Sequence, residues 1–354
     1  MKILAFETSC DDTSIAIFED TKLLAMNTDS QIKIHNKTGG VVPEIAAREH
    51  ANVIFDVLQE TLEDAGITLE DIDYIGVTTN PGLLPSLLTG TTVASMISTV
   101  KKIPILPIDH IQAHIFANFL EREESEIQFP LVCLTVSGGH NDIYYMSDMW
   151  SFEKIGSSGD DAGGEAFDKV AKMMGLGYPG GPIVSQLSAE YQAEQIAAGK
   201  MKSTRKTKQE QHLEKTLFPR VWLIKKEHNF SFSGLKSSVK REVDKRMSLH
   251  GELTFEDKKE IAYEFETAMT EVLSYKLIQA AQEKNVKSVM LAGGVSANNR
   301  LKDEISYHAQ SEKLDFKYPT KLTYCMDNAA MVGILTYYRV KYNQFEKKIG
   351  VVKI

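Results

Sequence analysis

The sequence is poor in cysteine and has no long apolar run. Its three cysteines, Cys10, Cys133 and Cys325, lie far apart and form no C-x-x-C pair. They offer no disulfide framework, which fits a reducing compartment, and we therefore expect a cytoplasmic location. No apolar run approaches the roughly 18 residues that a membrane span needs, and charged residues follow the N-terminus too early for a signal peptide. We expect no membrane partner.

A large excess of one charge is also missing, but the charges are spread unevenly. The 354 residues are 43% hydrophobic and 25% charged, values typical of a globular protein long enough for two domains. The net charge of −8 argues against a nucleic-acid partner, yet residues 200–246 contain 14 Lys and Arg against 5 Asp and Glu. This basic segment either binds a phosphate backbone or is a solvated, lysine-rich helical hairpin, and composition does not separate the two.

Two similar strand–loop–strand units predict a duplicated α/β protein. Residues 3–6 and 15–18 are short apolar runs on either side of a polar turn, which is the pattern of a β-hairpin. The arrangement recurs at residues 131–136 and 143–146. The other predicted elements are helices at 43–60, 83–99 and 255–281, and strands at 72–77, 103–108 and 288–291.

His110 and His114 are candidate metal ligands. They stand four residues apart in a stretch whose apolar residues recur at helical spacing, so both imidazoles are expected on one helix face. Two histidines at that separation can share a transition metal, and Asp327, just ahead of an apolar C-terminal helix, is the best candidate for a third ligand. Taken alone, the histidine spacing is more typical of two surface or capping residues.

Two pairs of glycines follow predicted strands and are typical of loops that hold phosphate groups. The pairs at 138–139 and 293–294 let the backbone approach a ligand and let N–H groups converge on phosphate oxygens. Neither pair belongs to a P-loop or to a G-x-G-x-x-G fingerprint. Together with Asp11, Asp168 and the turn at 178–182, they predict a ligand-binding cleft between two lobes.

Asp168 and the segment 230–236 each allow two interpretations. Asp168 lies in the first turns of a predicted helix, where a carboxylate either interacts with the positive helix end or binds a ribose or threonyl group. Residues 230–236 alternate aromatic and hydroxyl side chains before a basic helix. They either form a buried strand edge or offer RNA a stacking surface beside positive charge.

Nine short segments occur in the order known from one protein family. They are FETSCDDT (6–13), GGVVPE (39–44), HIQAH (110–114), VSGGH (136–140), GEAFDK (164–169), YPGGP (178–182), FSFSGLK (230–236), AGGVSAN (292–298) and CMDNAAM (325–331). On these segments the chain resembles the TsaD family, also called Gcp, the tRNA N6-adenosine threonylcarbamoyltransferases. The resemblance covers almost the whole chain.

The resemblance implies an actin-like ATPase fold of the ribonuclease H type (ASKHA), an α/β fold with two lobes related by duplication. We predict an N-terminal lobe at residues 1–115, with residues 325–354 folding back onto it. The C-terminal lobe would comprise residues 116–324 and carry a basic insertion at 190–246. A hinge is expected between residues 110 and 130.

The resemblance also implies ligands and a reaction. One Fe²⁺ or Zn²⁺ ion per subunit would be held by His110, His114 and Asp327. Threonylcarbamoyl-AMP, an adenylate related to ATP, would be bound by the residues that match the family's motifs, namely Thr135, Val136, Ser137, Gly138, Gly139, Asp168, Gly181 and Asn298. The implied reaction transfers the threonylcarbamoyl group to N6 of the adenosine beside the anticodon in tRNAs that read ANN codons. It forms t6A and releases AMP.

Members of the family act with partners, which implies a TsaB-like paralogue and a TsaE-like ATPase here. The attacking group on tRNA is a weakly nucleophilic exocyclic amine. Asp11 and Asp12, at the tip of the first predicted hairpin, are the candidate carboxylates that take its proton.

The chain departs from the family pattern at several positions. Asn80-Pro81-Gly82 replaces a Gly-Pro-Gly turn and Pro85 stands at a following glycine, changes expected to affect the partner face. Met326 replaces a threonine beside Asp327, which would alter the surroundings of the metal. The segment 190–228 is longer and more basic than expected. None of these changes removes a predicted metal or adenylate residue.

Three other functions are consistent with parts of the sequence. A metalloprotease with this histidine spacing needs a glutamate after the first histidine, but Ile111 stands there and Gln112 is no base. A small-molecule kinase or carbamoyltransferase of the same fold, without an RNA substrate, would need no histidine pair. A catalytically inactive scaffold would need none of the three predicted metal ligands.

Overall fold

A β-hairpin near the N-terminus forms the centre of the first sheet. The computed structural model describes residues 1–201, 216–220 and 227–354. Strand β1 (Lys2–Glu7) pairs antiparallel with β2 (Asp12–Glu19), as predicted. The apolar side chains of both strands are fully buried, which shows that this part of the sheet is covered on both faces.

The elements that follow β2 alternate between helices and strands. They are β3 (Lys22–Ser30), α1 (Ile32–His35), α2 (Pro43–Ala65), β4 (Tyr74–Asn80), α3 (Leu84–Lys101), β5 (Ile105–Asp109) and α4 (His110–Phe116). The sheet order is β3-β2-β1-β4-β5, and β4 runs parallel to both β1 and β5. Parallel neighbours need a crossover, which α3 supplies between β4 and β5. The predicted helices and strands of this region are confirmed.

The C-terminal segment packs closely against this first sheet. It contains α10 (Leu322–Cys325) and α11 (Ala329–Lys341), and most of α11 is buried. A Cβ added at Gly333 would lie 2.5 Å from the ring of Phe18, so glycine is needed for α11 to approach the sheet. Gly76 on the sheet leaves room for Thr336 of α11 in the same way.

A second sheet of five strands is built from the middle of the chain. Its strands are β6 (Leu131–Val136), β7 (Asn141–Met146), β8 (Glu153–Ser157), β9 (Ser288–Ala292) and β10 (Asp315–Lys317). The helices of this region are α5 (Gly163–Met173), α6 (Gly180–Ala197), α7 (Ser233–His250), α8 (Phe255–Glu283) and α9 (Asn299–Ser311). The order β10-β9-β6-β7-β8 reproduces the first sheet, with a hairpin joined to its next strand on one side. The predicted duplicated α/β fold is thereby confirmed.

The described residues divide into two compact units. The first comprises Met1–Gln128, Met290–Ala297 and Lys317–Ile354, and the second comprises Phe129–Val289 and Asn298–Phe316. Two stretches of the predicted basic segment, residues 202–215 and 221–226, lie outside the described residues. Within the described ranges, no helix is long and apolar enough to cross a membrane.

The boundary between the units differs from the predicted lobe boundary at residue 115. Residues 116–128 belong to the first unit, whereas the sequence prediction placed them in the C-terminal lobe. Aromatic packing explains the difference, because Phe116 and Phe119 both contact Tyr338 of α11, with ring centroids 5.8 Å and 5.3 Å away.

Candidate active site

The two candidate metal histidines are held at the start of a short helix. Helix α4 begins at His110, directly after β5, and Asp109 caps it by accepting a hydrogen bond from the Gln112 N–H at 2.9 Å. His110 and His114 are both buried, and their ring centroids lie 4.5 Å apart at an interplanar angle of 81°. The predicted common helix face is therefore confirmed.

Asp327 reaches the same point from the connection between α10 and α11. Its Oδ1 atom lies 3.0 Å from Nε2 of His114 and 3.7 Å from Nε2 of His110. Asn328, the next residue, caps α11 by accepting from the Met331 N–H, which fixes the backbone at this position. One ligand atom from each of the three residues lies within 4.8 Å of the others. The structure thus brings together the three side chains that the sequence suggested.

A buried carboxylate that the sequence reasoning did not select lies behind His110. Glu7, at the end of β1, is fully buried, and its Oε2 lies 3.1 Å from His110 Nδ1. The Glu7 carboxylate also accepts hydrogen bonds from the Thr78 hydroxyl and the Ser9 N–H, each at 2.6 Å. Since a carboxylate only accepts, Nδ1 of His110 carries a proton, and Nε2 is left to face Asp327. The sequence feature that could have identified Glu7 as a site residue is its position at the end of a predicted strand, next to a polar turn.

The charges of this cluster favour a cation. Burial disfavours a charged imidazole, but the carboxylates of Glu7 and Asp327 outweigh it and raise the pKa of His110 to about 9. Burial likewise opposes ionisation of Glu7, but the neighbouring His110 outweighs it and lowers the pKa of Glu7. A site that holds a proton so firmly between two carboxylates also attracts a metal ion in its place.

The donor set of these residues fits a transition metal. Two imidazole nitrogens and one carboxylate oxygen suit iron and zinc alike. A carboxylate that holds the far nitrogen of a ligating histidine is a usual feature of such sites, and Glu7 stands in that position behind His110.

Asp11 and Asp12 lie at the tip of the first hairpin, in the same unit as the histidines. Burial raises the pKa of both carboxyl groups, that of Asp12 to about 7, and the charge of Asp327 adds to the shift. Oδ1 of Asp12 is buried and has no hydrogen-bond partner within the described part of the chain. A carboxylate with a pKa near neutrality is suited to accept a proton at physiological pH.

The first glycine pair forms an open turn in the second unit. Ser137–His140 closes the β6–β7 hairpin through a bond from the Ser137 N–H to the His140 carbonyl at 2.8 Å. A Cβ at Gly138 or Gly139 would meet no atom within 4 Å, and neither residue has a positive φ. The fold therefore does not require glycine at these positions, and the turn leaves a ligand free to approach the backbone. Thr135 and Val136, by contrast, are buried within β6.

The remaining predicted adenylate residues are Asp168, in the middle of α5, and Gly181 and Asn298, at the starts of α6 and α9. Asp168 accepts a hydrogen bond from the Gly180 N–H at 2.7 Å, at the first residue of α6, so it interacts with the start of a neighbouring helix. Gly181 follows, and a Cβ there would touch only Phe167, at 4.0 Å. The start of α6 is therefore open beside Gly181, and helix N-termini attract anions.

Asn298 has a structural role of its own. Its Oδ1 accepts from the Leu301 N–H at 2.8 Å and caps α9, and its Nδ2 donates to Glu266 at 2.6 Å and to Ser185 at 2.9 Å. Both ends of the side-chain amide are thus engaged by the protein. Contact of Asn298 with a substrate remains a prediction.

Of the two interpretations of residues 230–236, the RNA-stacking surface is the one that the structure contradicts. Phe230 and Phe232 are buried, with exposed fractions of 0% and 1%, and Phe230 forms a β-bridge with Ser158. Asp160 holds this segment by accepting from the Phe232 N–H at 2.8 Å. The alternative interpretation of a buried strand edge is the one observed, because the aromatic side chains face the core of the second unit.

Comparison with known proteins identifies the family. The model of the TsaD family, described as tRNA N6-adenosine threonylcarbamoyltransferase, matches residues 22–334. Proteins of that name are 42% identical in Fusobacterium nucleatum, over 98% of this chain and 94% of the relative, and 41% identical in Persephonella marina, over 96% and 91%. A Staphylococcus aureus protein of the same name is 39% identical over 97% of this chain and 93% of its own length.

Solved structures support the fold. Component A of the Acidaminococcus fermentans (R)-2-hydroxyglutaryl-CoA dehydratase aligns with a TM-score of 0.52 at 14% identity, over 96% of this chain and 99% of the other. The activator of the Clostridium difficile 2-hydroxyisocaproyl-CoA dehydratase, solved with bound ADPNP, aligns with a TM-score of 0.51 at 12% identity, over 97% of each chain. The duplicated, actin-like fold agrees with these matches. Because the family model and the curated relatives both cover nearly the whole chain, this protein belongs to the TsaD family of tRNA N6-adenosine threonylcarbamoyltransferases, the acyltransferases that form t6A in tRNA.

Proposed function

We propose that this chain transfers the threonylcarbamoyl group from threonylcarbamoyl-AMP, and that it does so with one Fe²⁺ or Zn²⁺ ion held by His110, His114 and Asp327. The convergence of these three side chains, with Glu7 fixed behind His110, is the observation that carries the proposal. A divalent ion bound there would supply Lewis acidity toward the transferred carbamoyl group.

The substrates and the chain together supply every group that the transfer step needs. The N6 amine of the tRNA adenosine attacks the carbamoyl carbon and forms a C–N bond. The C–O bond to the phosphate of the adenylate breaks, and AMP leaves with the bonding electrons. We assign the amine proton to the carboxylate of Asp12 or Asp11. The pKa of about 7 at Asp12 supports this role, because such a group is partly ionised at neutral pH and still basic.

The adenylate is assigned to the second unit. The open turn at Gly138 and Gly139 would present backbone N–H groups to the phosphate, as would the start of α6 at Gly181. Thr135, Val136 and Ser137 lead into this turn. Asp168 and Asn298 are retained as adenylate residues from the resemblance, and their hydrogen bonds show that they also fix the starts of α6 and α9.

The proposed partners are a TsaB-like paralogue and a TsaE-like ATPase, and the proposed location is the cytoplasm, where tRNA is modified. An exposed apolar ridge on α3 supports a protein partner. It consists of Leu84, Leu88, Met96 and Val100, with exposed fractions between 47% and 70%. Leu84 and Leu88 lie one turn apart on this helix, as do Met96 and Val100, and exposed apolar side chains in such numbers are typical of an interaction surface.

The proposal is tested by transfer of labelled threonine to unmodified tRNA. The assay contains the purified chain, threonylcarbamoyl-AMP and the two partners. We expect transfer to stop when the protein is treated with a chelator and to return with Fe²⁺ or Zn²⁺. His110→Ala should lose both the bound metal and the transfer. Full transfer by chelated protein or by His110→Ala would show that the assigned metal site is wrong.

A kinase or carbamoyltransferase that acts on a small acceptor is the second candidate, and the family assignment disfavours it. The same protein incubated with ATP and small acceptors should give no phosphorylated or carbamoylated product. Such a product, formed without tRNA, would favour this second function.

A further inference from the structure

Two further buried histidines, His35 and His50, lie outside the proposed metal site and are linked by hydrogen bonds to the loop that carries Asp11 and Asp12. His50 in α2 is fully buried, and its Nε2 lies 3.0 Å from the carbonyl oxygen of Cys10. A carbonyl only accepts, so Nε2 carries the ring proton and donates it. Nδ1 must then accept, which it does from the Thr13 hydroxyl at 2.7 Å. Burial lowers the pKa of His50, which keeps the ring neutral and in this single tautomer.

Gln31 and His35 extend this hydrogen-bond network, and each of their polar atoms can act as the donor or acceptor that its partner requires. The Gln31 Nε2 amide faces His50 Nδ1 at 3.4 Å and donates to the Ala46 carbonyl at 3.2 Å. The Gln31 Oε1 atom accepts from His35 Nε2 at 3.1 Å, and His35 Nδ1 accepts from the Val42 N–H at 3.4 Å. Every ring nitrogen of the two buried histidines therefore has a defined role. Networks in which each member is satisfied hold a single geometry.

The network acts on the backbone just before the two aspartates. The Cys10 carbonyl also accepts from the Ser86 hydroxyl at 3.3 Å. On either side, the Ser9 carbonyl accepts from the Leu83 N–H at 2.8 Å, and the Asp11 carbonyl accepts from the Gln31 N–H at 3.0 Å. Three consecutive carbonyls are thus fixed. The side chains of Asp11 and Asp12 project from this fixed stretch.

We propose that His50 is a positioning residue for threonylcarbamoyl transfer, which acts by holding the Cys10 carbonyl and thereby placing the carboxylates of Asp11 and Asp12. The inference rests on the proposed role of these carboxylates as proton acceptor. His50 touches no proposed ligand of the metal or the adenylate, so its effect is on the rate of transfer and not on binding.

The first test compares His50→Ala with His50→Gln. The glutamine amide can still donate to the Cys10 carbonyl, whereas alanine cannot. Because small displacements of a reacting group are costly, we expect His50→Ala to lower kcat by about tenfold to a hundredfold. The KM for threonylcarbamoyl-AMP and the bound metal should stay within about twofold, since neither ligand is contacted. His50→Gln should recover most of the rate. His308→Ala, which removes a histidine of α9 in the second unit, is the matched control and should keep full activity.

The pH profile adds a readout that a purely structural role would not move. Burial raises the pKa of Asp12. A hydrogen bond with Ser30 opposes this shift, and the charges of Asp327, Asp11 and Glu7 add to it. A loop released from His50 admits water to the Asp12 carboxyl. We therefore expect the acidic limb of kcat in His50→Ala to move to lower pH. An unchanged limb together with a lowered kcat would overturn the proposal.

A double-mutant cycle separates this inference from the proposed function. If His50 acts through Asp12, His50→Ala combined with Asp12→Asn should be no slower than Asp12→Asn alone. Additive losses would overturn the positioning role while leaving Asp12 as the base. Full activity of both Asp11→Asn and Asp12→Asn would overturn the base assignment and this inference with it. If His50→Ala does not fold, Ser86→Ala removes the other donor to the Cys10 carbonyl and should lower kcat at unchanged KM.

Discussion

The Oε2 atom of Glu7 lies 3.1 Å from Nδ1 of His110, while the other ring nitrogen of that histidine faces Asp327 at 3.7 Å. The imidazole is therefore held between two carboxylates that come from opposite ends of the chain. Of these two carboxylates, only Asp327 was predicted from the sequence as a metal ligand. Glu7 determines which nitrogen of His110 is available to a metal ion.

Glu7→Gln should reduce the free energy of metal binding by more than it reduces the free energy of unfolding. An amide fits the same space but carries no charge and holds the histidine proton less firmly. Loss of such a carboxylate typically costs 10- to 100-fold in metal affinity, and we expect about that loss here. Competition with a chromogenic chelator measures it. Glu304→Gln is the control, because Glu304 belongs to the second unit, where it pairs with His308 at 3.2 Å, whereas the proposed metal ligands belong to the first. Equal metal affinity in wild type and Glu7→Gln would contradict the assigned role.

Two glycines near the adenylate turn should respond to alanine in opposite ways. A Cβ at Gly138 meets open space, so Gly138→Ala should leave the melting temperature nearly unchanged and raise the KM for threonylcarbamoyl-AMP. A Cβ at Gly164 would lie 2.7 Å from the Ser137 carbonyl oxygen, so Gly164→Ala should destabilise the fold by about 1–3 kcal/mol. Thermal unfolding and steady-state kinetics of the two variants check this contrast. A strongly destabilised Gly138→Ala would show that the turn is structural.

The raised pKa of Asp12 predicts a specific pH dependence of stability in chelator-treated protein. Its folded value is about 7, against about 4 for an exposed aspartate. Between these values the folded state binds more protons than the unfolded state, so the free energy of unfolding contributed by Asp12 falls as pH rises from about 4 to 7. Asp12→Asn should remove this fall. His110 has its own dependence, with a stabilising contribution that is lost as pH rises through its pKa of about 9.

The measurement is urea unfolding of wild type and Asp12→Asn at several pH values in chelator. The difference between the two proteins isolates Asp12, because His110 is common to both. We expect the variant to gain stability relative to wild type as the pH rises to 7. A constant difference would mean that Asp12 ionises normally in the folded protein.

Much of the fold and of the candidate metal site could be predicted from the sequence, because both leave local patterns. The apolar runs at 3–6 and 15–18 read directly as a hairpin, and the spacing of His110 and His114 places both on one helix face. The third proposed ligand, Asp327, was selected for its position ahead of an apolar helix.

Features that depend on packing between distant segments could not be predicted. Glu7 is a carboxylate beside a polar turn, and nothing local shows that it meets His110, 103 residues later. The alternation of aromatic and hydroxyl residues at 230–236 does not show which side is covered, and the aromatic side proved to be buried. The sequence also did not show that the Asn80 side chain donates to Asp109, the residue that caps α4, at 2.8 Å.

The exposed ridge on α3 predicts a variant that loses the partner and keeps the metal. Leu88 lies within this ridge and is 49% exposed, so Leu88→Asp places a charge on the surface without disturbing the core. We expect the variant to bind metal and unfold like wild type but to lose association with the TsaB-like paralogue, because a buried unpaired charge is costly at an interface. Size-exclusion chromatography of the mixed proteins measures association.

Leu249→Asp provides the matched control for this experiment. Leu249 is 68% exposed on α7 in the second unit, so the same change in charge and volume occurs on an apolar surface far along the chain from α3. Association should be lost with Leu88→Asp and kept with Leu249→Asp. Loss in both variants would point to a general effect of added negative charge, and association kept in both would move the partner surface away from α3. Transfer should fail only in the variant that no longer associates, which connects the ridge to activity through the partner.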